Sequence, residues 1–271
     1  MTESTTGAIS IREGIVIGRA GDRDLLGDIY LPSDDAKARP AIVVVHGGGW
    51  RKGSRTSVKG FGILLSQAGF VCLCVDYRLI GEALWPAQIE DIKCAIRFLK
   101  ANQNELGVDP DRIGINGDSS GGHLALMAGV ASDFEGTGGH GEFTSEVKAV
   151  SSMYGPSLIQ GRSASSLIGE HASQEDCDAA SPLAYDLKNF PPCLLMHGME
   201  DQAVPLAETT DFYQKLMQNN RIAELHLFAG EGHAFDRQSS TQEKMVDIAD
   251  PSSVCGETVI ELIRWFFSKY L

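Results

Sequence analysis

Apolar β-branched runs alternating with amphipathic helical segments predict an α/β fold, a mostly parallel sheet of about eight strands with helices on both faces. Three observations carry this reading. Ile42 to Val45 is an unbroken apolar run of the kind buried on both faces of a parallel sheet, similar runs recur at 70–75, 112–116, 147–154 and 192–197, and helical stripes lie between them. Taken in order, Ile9 to Ile17 and Leu25 to Leu31 read as strands joined through Gly21 and Asp22, a hairpin at an antiparallel edge. The strand at Ile42 is followed by a helix over 57–68. After Pro86, Ile89, Ile92, Ile96 and Leu99 place one apolar stripe on the next helix. A strand over 112–116 leads into a helix over 120–131, and further helices are expected at 206–219 and 254–270, with a strand over 223–228 between them. Two segments break the rhythm: the glycine-rich stretch 134–146, and 157–190, which shows no single clear helix and is expected to be a short lid or cap on one domain spanning 1–271.

Composition narrows the function classes. The 271 residues are 43% hydrophobic, 22% charged and 7% aromatic, which is ordinary globular usage and excludes disordered, collagenous and coiled-coil chains. With 23 Lys and Arg against 36 Asp and Glu, the formal net charge is −13, so the basic footprint of a nucleic-acid binder is missing. Apolar runs stay far below the about 18 residues that span a bilayer, and residues 1–11 lack the basic start and apolar stretch of a signal peptide. No membrane span and a cytoplasmic location are therefore expected. The six cysteines include no C-x-x-C pair and read as buried free thiols.

In open α/β sheets ligands bind beyond the carboxyl ends of the strands, so residues that follow strands are the candidates for chemistry. Gly117-Asp118-Ser119-Ser120-Gly121 sits between a strand and a helix, where small residues on either side of Ser119 permit a sharp turn that thrusts the hydroxyl outward. Chance alone gives about 0.3 occurrences of G-x-S-x-G in a chain this rich in Ser and Gly, so the strand-turn-helix context carries the inference. A serine hydroxyl needs a base, and His233 follows the strand over 223–228 in a glycine-flanked loop. The base needs a carboxylate to fix its tautomer, and Asp201 follows the strand over 192–197, with Glu200 and Glu231 as local competitors. Ser119, Asp201 and His233 thus occur in the chain order of hydrolases built on such a sheet. After the Ile42 strand comes His46-Gly47-Gly48-Gly49-Trp50, whose uncovered backbone N–H groups suit an oxyanion, with the Ser120 N–H as partner donor.

These segments together resemble the α/β-hydrolase serine esterases of the hormone-sensitive-lipase-like and feruloyl-esterase-like groups. The matching segments are H-G-G-G-W at 46–50, D-Y-R-L at 76–79, W-P-A-Q-I-E-D at 85–91, G-D-S-S-G-G-H-L-A at 117–125, H-G-M-E-D-Q-A-V-P at 197–205 and G-E-G-H-A-F at 230–235. The resemblance implies an oxyanion hole of Gly48, Gly49 and Ser120 and a covalent acyl-enzyme reaction on a small-molecule ester, with no cofactor and no metal. It differs in one respect: only about 40 residues precede the H-G-G-G strand, where many hormone-sensitive-lipase-like enzymes carry a long helical cap. The pocket is accordingly expected to be open and covered mainly by 157–190.

Other readings stand beside these. Trp50 and Trp85 either line the acyl or alcohol pocket or serve ordinary packing. Asp76 and Asp91 read as polar supports of the fold, and His46 and His197 as buried hydrogen-bonded residues. The histidines show no H-E-x-x-H and no Cys/His ligand spacing. An arylformamidase-like amide hydrolase shares the same arrangement and is the alternative activity, and a non-catalytic ligand-binding protein on this fold is the rival outside the enzymes. A homodimer through an edge strand or the C-terminal helix is compatible with the pattern, which does not demand it.

Overall fold

The computed structural model describes residues 2–6, 9–34, 36–130, 133–236 and 254–271. The chain opens with strands β1 (Thr2–Thr6), β2 (Ile9–Ala20) and β3 (Arg23–Pro32), which pair antiparallel. Ala20 faces Arg23 across a two-residue turn whose first member, Gly21, takes φ 60°, as a tight hairpin connection requires. β4 (Arg39–Val45) follows. A one-turn 3-10 helix then leads into α1 (Lys59–Gln67) and β5 (Val71–Val75), and β5 pairs antiparallel with β3 and parallel with β4. α2 (Ala87–Ala101), the single turn α3 (Gln103–Leu106), β6 (Val108–Asp118) and α4 (Ser120–Gly129) complete the next crossover. β7 (Ala149–Met153), β8 (Cys193–Gly198), α7 (Leu206–Gln218), β9 (Ala223–Phe228) and α8 (Val254–Tyr270) finish the core. Between β7 and β8 lie two six-residue helices, α5 (Arg162–Leu167) and α6 (Gln174–Ala179).

The strands form one sheet in the order β1-β2-β3-β5-β4-β6-β7-β8-β9, parallel from β5 onward. Among the described residues this is nine strands, because the polar β1 extends the antiparallel edge by one. β4 and β5 are apolar on both faces because both faces are covered. On one side α2, α4 and α7 contribute Ile89, Ile92, Ile96, Leu124 and Phe212 to a core with Val43, Val45 and Ile115. On the other, α1 and α8 contribute Phe61, Leu65, Ile263, Phe266 and Phe267 to a second core with Ile42, Val44 and Leu194. Such burial contributes about 1.5–3 kcal/mol per large side chain, upper estimates that the unfolded chain's own compaction reduces.

Two arginines strut the loops that carry the site. Arg55 joins Asp28 (2.7 Å) to Asp76 (2.6 Å), and Arg78 grips Asp91 with its Nε and Nη2 (2.7–3.0 Å) while the Arg78 N–H donates to the same carboxylate. Asp76 and Asp91 are thus the fold supports expected of them. Cys72, Cys74, Cys94, Cys177 and Cys193 are buried free thiols, and burial pushes those of Cys72 and Cys193 well up. Among the described residues no helix is long and apolar enough to cross a membrane.

Candidate active site

Ser119 stands where β6 meets α4, with φ 50° and ψ −119°, a backbone that an L-residue adopts only under constraint. The constraint is close backbone packing. A Cβ on Gly117 would lie 2.2 Å from the Gly121 carbonyl oxygen, and one on Gly121 would lie 2.3 Å from that of Val45. Only glycine lets α4 begin this close to the end of β4. The Ser119 N–H donates to the Met153 carbonyl (2.9 Å), tying the turn to β7 as well.

Because β6, β8 and β9 run parallel, the loops that leave their carboxyl ends meet on one side of the sheet. Met199 donates to Phe228 (3.0 Å) and Glu200 to Glu231 (2.8 Å), which holds the loop after β8 against the loop after β9. Asp201 and His233 come together there. His233 Nδ1–H donates to Asp201 Oδ2 (2.7 Å), and the Ser119 hydroxyl donates to His233 Nε2 (2.9 Å). A carboxylate only accepts, so the Asp201 contact puts the imidazole proton on Nδ1 and leaves Nε2 free to receive one. The Asp201 side chain is fully buried, with Oδ1 accepting the N–H groups of Ala203 (2.7 Å) and Val204 (2.9 Å). The histidine's partner is Asp201 and not a competing carboxylate: Glu231 accepts from Cys255 Sγ (3.4 Å). The Tyr154 ring meets the His233 ring edge to face at 4.7 Å, and the Tyr154 hydroxyl donates to Asp236, limiting how far the imidazole can swing. His197 is buried with Nε2 3.3 Å from Asp201 Oδ2, the oxygen that His233 also contacts, and burial lowers its pKa, so it adds a neutral support.

The glycine loop after β4 is held to the nucleophile turn by Asp118, whose Oδ1 accepts the Gly47 N–H (3.0 Å). Gly48 and Gly49 follow with φ 127° and 63°, and among the described residues neither N–H donates to a backbone carbonyl. His46 is buried with its ring stacked on Tyr77 at 4.3 Å. Trp50, which follows Gly49, donates its indole N–H to His123 Nδ1 (3.3 Å), and His123 Nε2–H donates to the Ala180 carbonyl (2.7 Å). One neutral imidazole on α4 therefore connects the glycine loop to the 157–190 segment.

Burial holds His123 down to about 4, so the folded chain keeps it neutral where the unfolded chain, titrating near about 6.5, takes up a proton. Its contribution to stability is complete above the unfolded value and is lost as pH falls toward the folded one, amounting to about 2 kcal/mol between pH 8 and pH 5. Urea unfolding at both pH values is expected to show that loss in the wild type and a smaller one in His123→Gln. An equal loss in both proteins would remove His123 as the cause.

A cleft of about 790 Å³ opens over these groups, lined by Gly48, Gly49, Trp50, Ser119, Ser120 and His233 among others. The structure thus brings together every sequence-predicted site residue except Trp85, which is a correction. Trp85 is absent from the cleft walls because its ring packs on His123 (5.6 Å) and Phe134 (5.4 Å). Sequence reasoning missed His123 and Tyr154. The signal for His123 was its place one helical turn after Ser119, on a helix otherwise made of small and apolar residues.

A serine on a strained strand-to-helix turn, answered by a histidine and an aspartate from later strands of a mostly parallel sheet, defines the α/β-hydrolase class. The BD-FAE family model matches residues 27–216, and the chain belongs to that family. It is similar to the esterase LipC of Mycobacterium tuberculosis, 32% identical over 77% of this chain and 56% of the relative. The chain spans about half the length of the curated relatives it matches. Among solved structures it is similar to a truncated carbohydrate esterase from gut microbiota, with a TM-score of 0.80, 25% identity and 99% of each chain covered. It is also similar to esterase 2 of the planctomycete Thermogutta terrifontis with propionate bound, with a TM-score of 0.82, 25% identity and 97% and 94% of the two chains covered.

Proposed function

We propose that the protein is a serine hydrolase of carboxylic esters with small to medium acyl or aryl groups, in which Ser119, His233 and Asp201 are catalytic. The observation that carries this reading is the continuous Ser119–His233–Asp201 hydrogen-bond chain, 2.9 and 2.7 Å long, on the wall of an open cleft. The names of the relatives given above, each an esterase, support it.

In the reaction, His233 Nε2 takes the Ser119 proton as Oγ bonds to the ester carbonyl carbon, and the carbonyl oxygen becomes an oxyanion. The N–H groups of Gly48, Gly49 and Ser120 receive that charge, where each donor is worth about 10²–10³ in rate. The imidazolium, steadied by Asp201, returns its proton to the departing alkoxide and leaves an acyl-Ser119 ester. Water then gives a proton to His233 as its oxygen attacks the acyl carbon, and collapse releases the acid and restores Ser119. Residues 157–190 act as the cap: Leu158, Arg162 and Ser166 line the cleft, and Arg51 donates to Ser166 Oγ (3.0 and 2.8 Å) to join the cap to the glycine loop.

Initial rates on p-nitrophenyl acetate, butyrate, octanoate and dodecanoate test this, with Ser119→Ala as control. Ser119-dependent turnover is expected, greatest on the shorter esters and falling at dodecanoate. A folded wild type no faster than Ser119→Ala on every ester would end the esterase reading.

A further inference from the structure

The chain carries a formal net charge of −13, yet its cleft is rimmed by cations. Arg51 and Lys52 enter from the loop directly after the proposed oxyanion donors, and Arg162 enters from the cap, so positive charge faces the opening from two sides. All three side chains are exposed. Among the described residues none of them meets a carboxylate: Arg51 donates only to Ser166, and no contact of the Lys52 or Arg162 side chain reaches an acid. Elsewhere most of the described arginines face an acid, as Arg55, Arg78, Arg97 and Arg264 do with Asp28, Asp91, Glu135 and Glu261, while Arg221 donates to the Phe190 carbonyl.

The acids of the cleft are already engaged. Asp118 accepts the Gly47 N–H at 3.0 Å, and Glu208 Oε2 accepts the N–H groups of Ser157 (2.9 Å) and Leu158 (3.1 Å). The remaining wall is largely apolar, with Trp50, Tyr154, Leu158, Val204 and Pro205. Clustered cations over low-dielectric walls focus the field on an anion, in this case against the sign of the whole molecule.

We infer that the preferred substrates are esters carrying a carboxylate, whose apolar portion lies along the cleft while Arg51, Lys52 and Arg162 receive the charge. This rests on the ester-hydrolase reading and sharpens its substrate class. The carboxylate belongs to the acyl portion, as in a monoester of a dicarboxylic acid, or to the alcohol portion. Both place one negative charge at the rim.

The test compares kcat/KM on monomethyl adipate with dimethyl adipate, and on 4-acetoxybutanoate with 4-acetoxybutanamide, in the wild type and in Lys52→Gln/Arg162→Gln. Arg51 is left in place because it also holds Ser166. In at least one pair the anionic ester is expected to lead in the wild type. The double variant is expected to lower the anionic-to-neutral ratio about tenfold, chiefly through KM, and 0.5 M NaCl to lower it more in the wild type than in the variant, which keeps Arg51. Ratios that stay unchanged in the variant for both pairs would overturn the inference while leaving the esterase reading intact. If no ester is turned over, the esterase reading fails. The rim is then judged by calorimetric binding of monomethyl adipate to Ser119→Ala, which supports the inference if the double substitution weakens it and overturns it if not.

Discussion

Ser119→Ala is expected to lower kcat on p-nitrophenyl acetate by about 10⁴–10⁶-fold with the fold intact, and Asp201→Asn by about 10⁴-fold. The first removes the hydroxyl oxygen that lies 2.9 Å from His233 Nε2. The second keeps the size of the side chain but exchanges a carboxylate oxygen that accepts the Nδ1 proton at 2.7 Å for a group that can instead donate, so the imidazole is turned to the wrong tautomer. On the proposal that the three residues act as one unit, the Ser119→Ala/Asp201→Asn double variant should be no slower than Ser119→Ala alone. Steady-state rates with matched circular dichroism spectra check both. If Asp201→Asn kept full activity, the carboxylate role would pass to another residue.

A large loss of stability is expected at Gly121→Ala. The new methyl would lie 2.3 Å from the Val45 carbonyl oxygen and 2.6 Å from that of His46, both backbone atoms of the central strand and its exit, so neither can rotate aside. Moving α4 outward instead would drag Ser119 with it. A cost of about 3 kcal/mol or more follows, seen as a fall in Tm of about 6–12 °C. Activity should fall with it, because the turn and the Gly47 loop share that contact. Gly81→Ala, where an added Cβ meets nothing within 4 Å, is the control and should leave Tm nearly unchanged.

What the sequence disclosed follows from how local each signal was. The parallel strands were legible because a sheet covered on both faces demands unbroken apolar runs, and α8 was legible over its whole length because its stripe repeats for four turns. The site was legible for the same reason: Ser119, Asp201 and His233 each follow a strand within a few residues, so the fold class alone brings them to one edge. α5 and α6 were not legible, since six residues are too few to set a helical period. β1 was missed because Thr2–Thr6 has no apolar residue to alternate. The sequence left Trp85 open between pocket and packing because a lone aromatic carries no signal of side-chain direction, and the pairing of His123 with Trp50 and Ala180 spans contacts 73 and 57 residues apart. The cation rim is equally non-local, since 110 residues separate Lys52 from Arg162.

α8 also bears on the order in which the molecule can be made. Its Phe267 ring occupies the space beside Gly114, where an added Cβ would lie 2.5 Å away, so the middle of β6 is built to receive a helix synthesised some 150 residues later. Until residues 254–270 have been made, Ile42, Val44, Leu194 and Met196 lack the cover that Ile263, Phe266 and Phe267 provide. Until that helix docks, the nascent chain carries an apolar sheet face, an invitation to chaperones and to premature association.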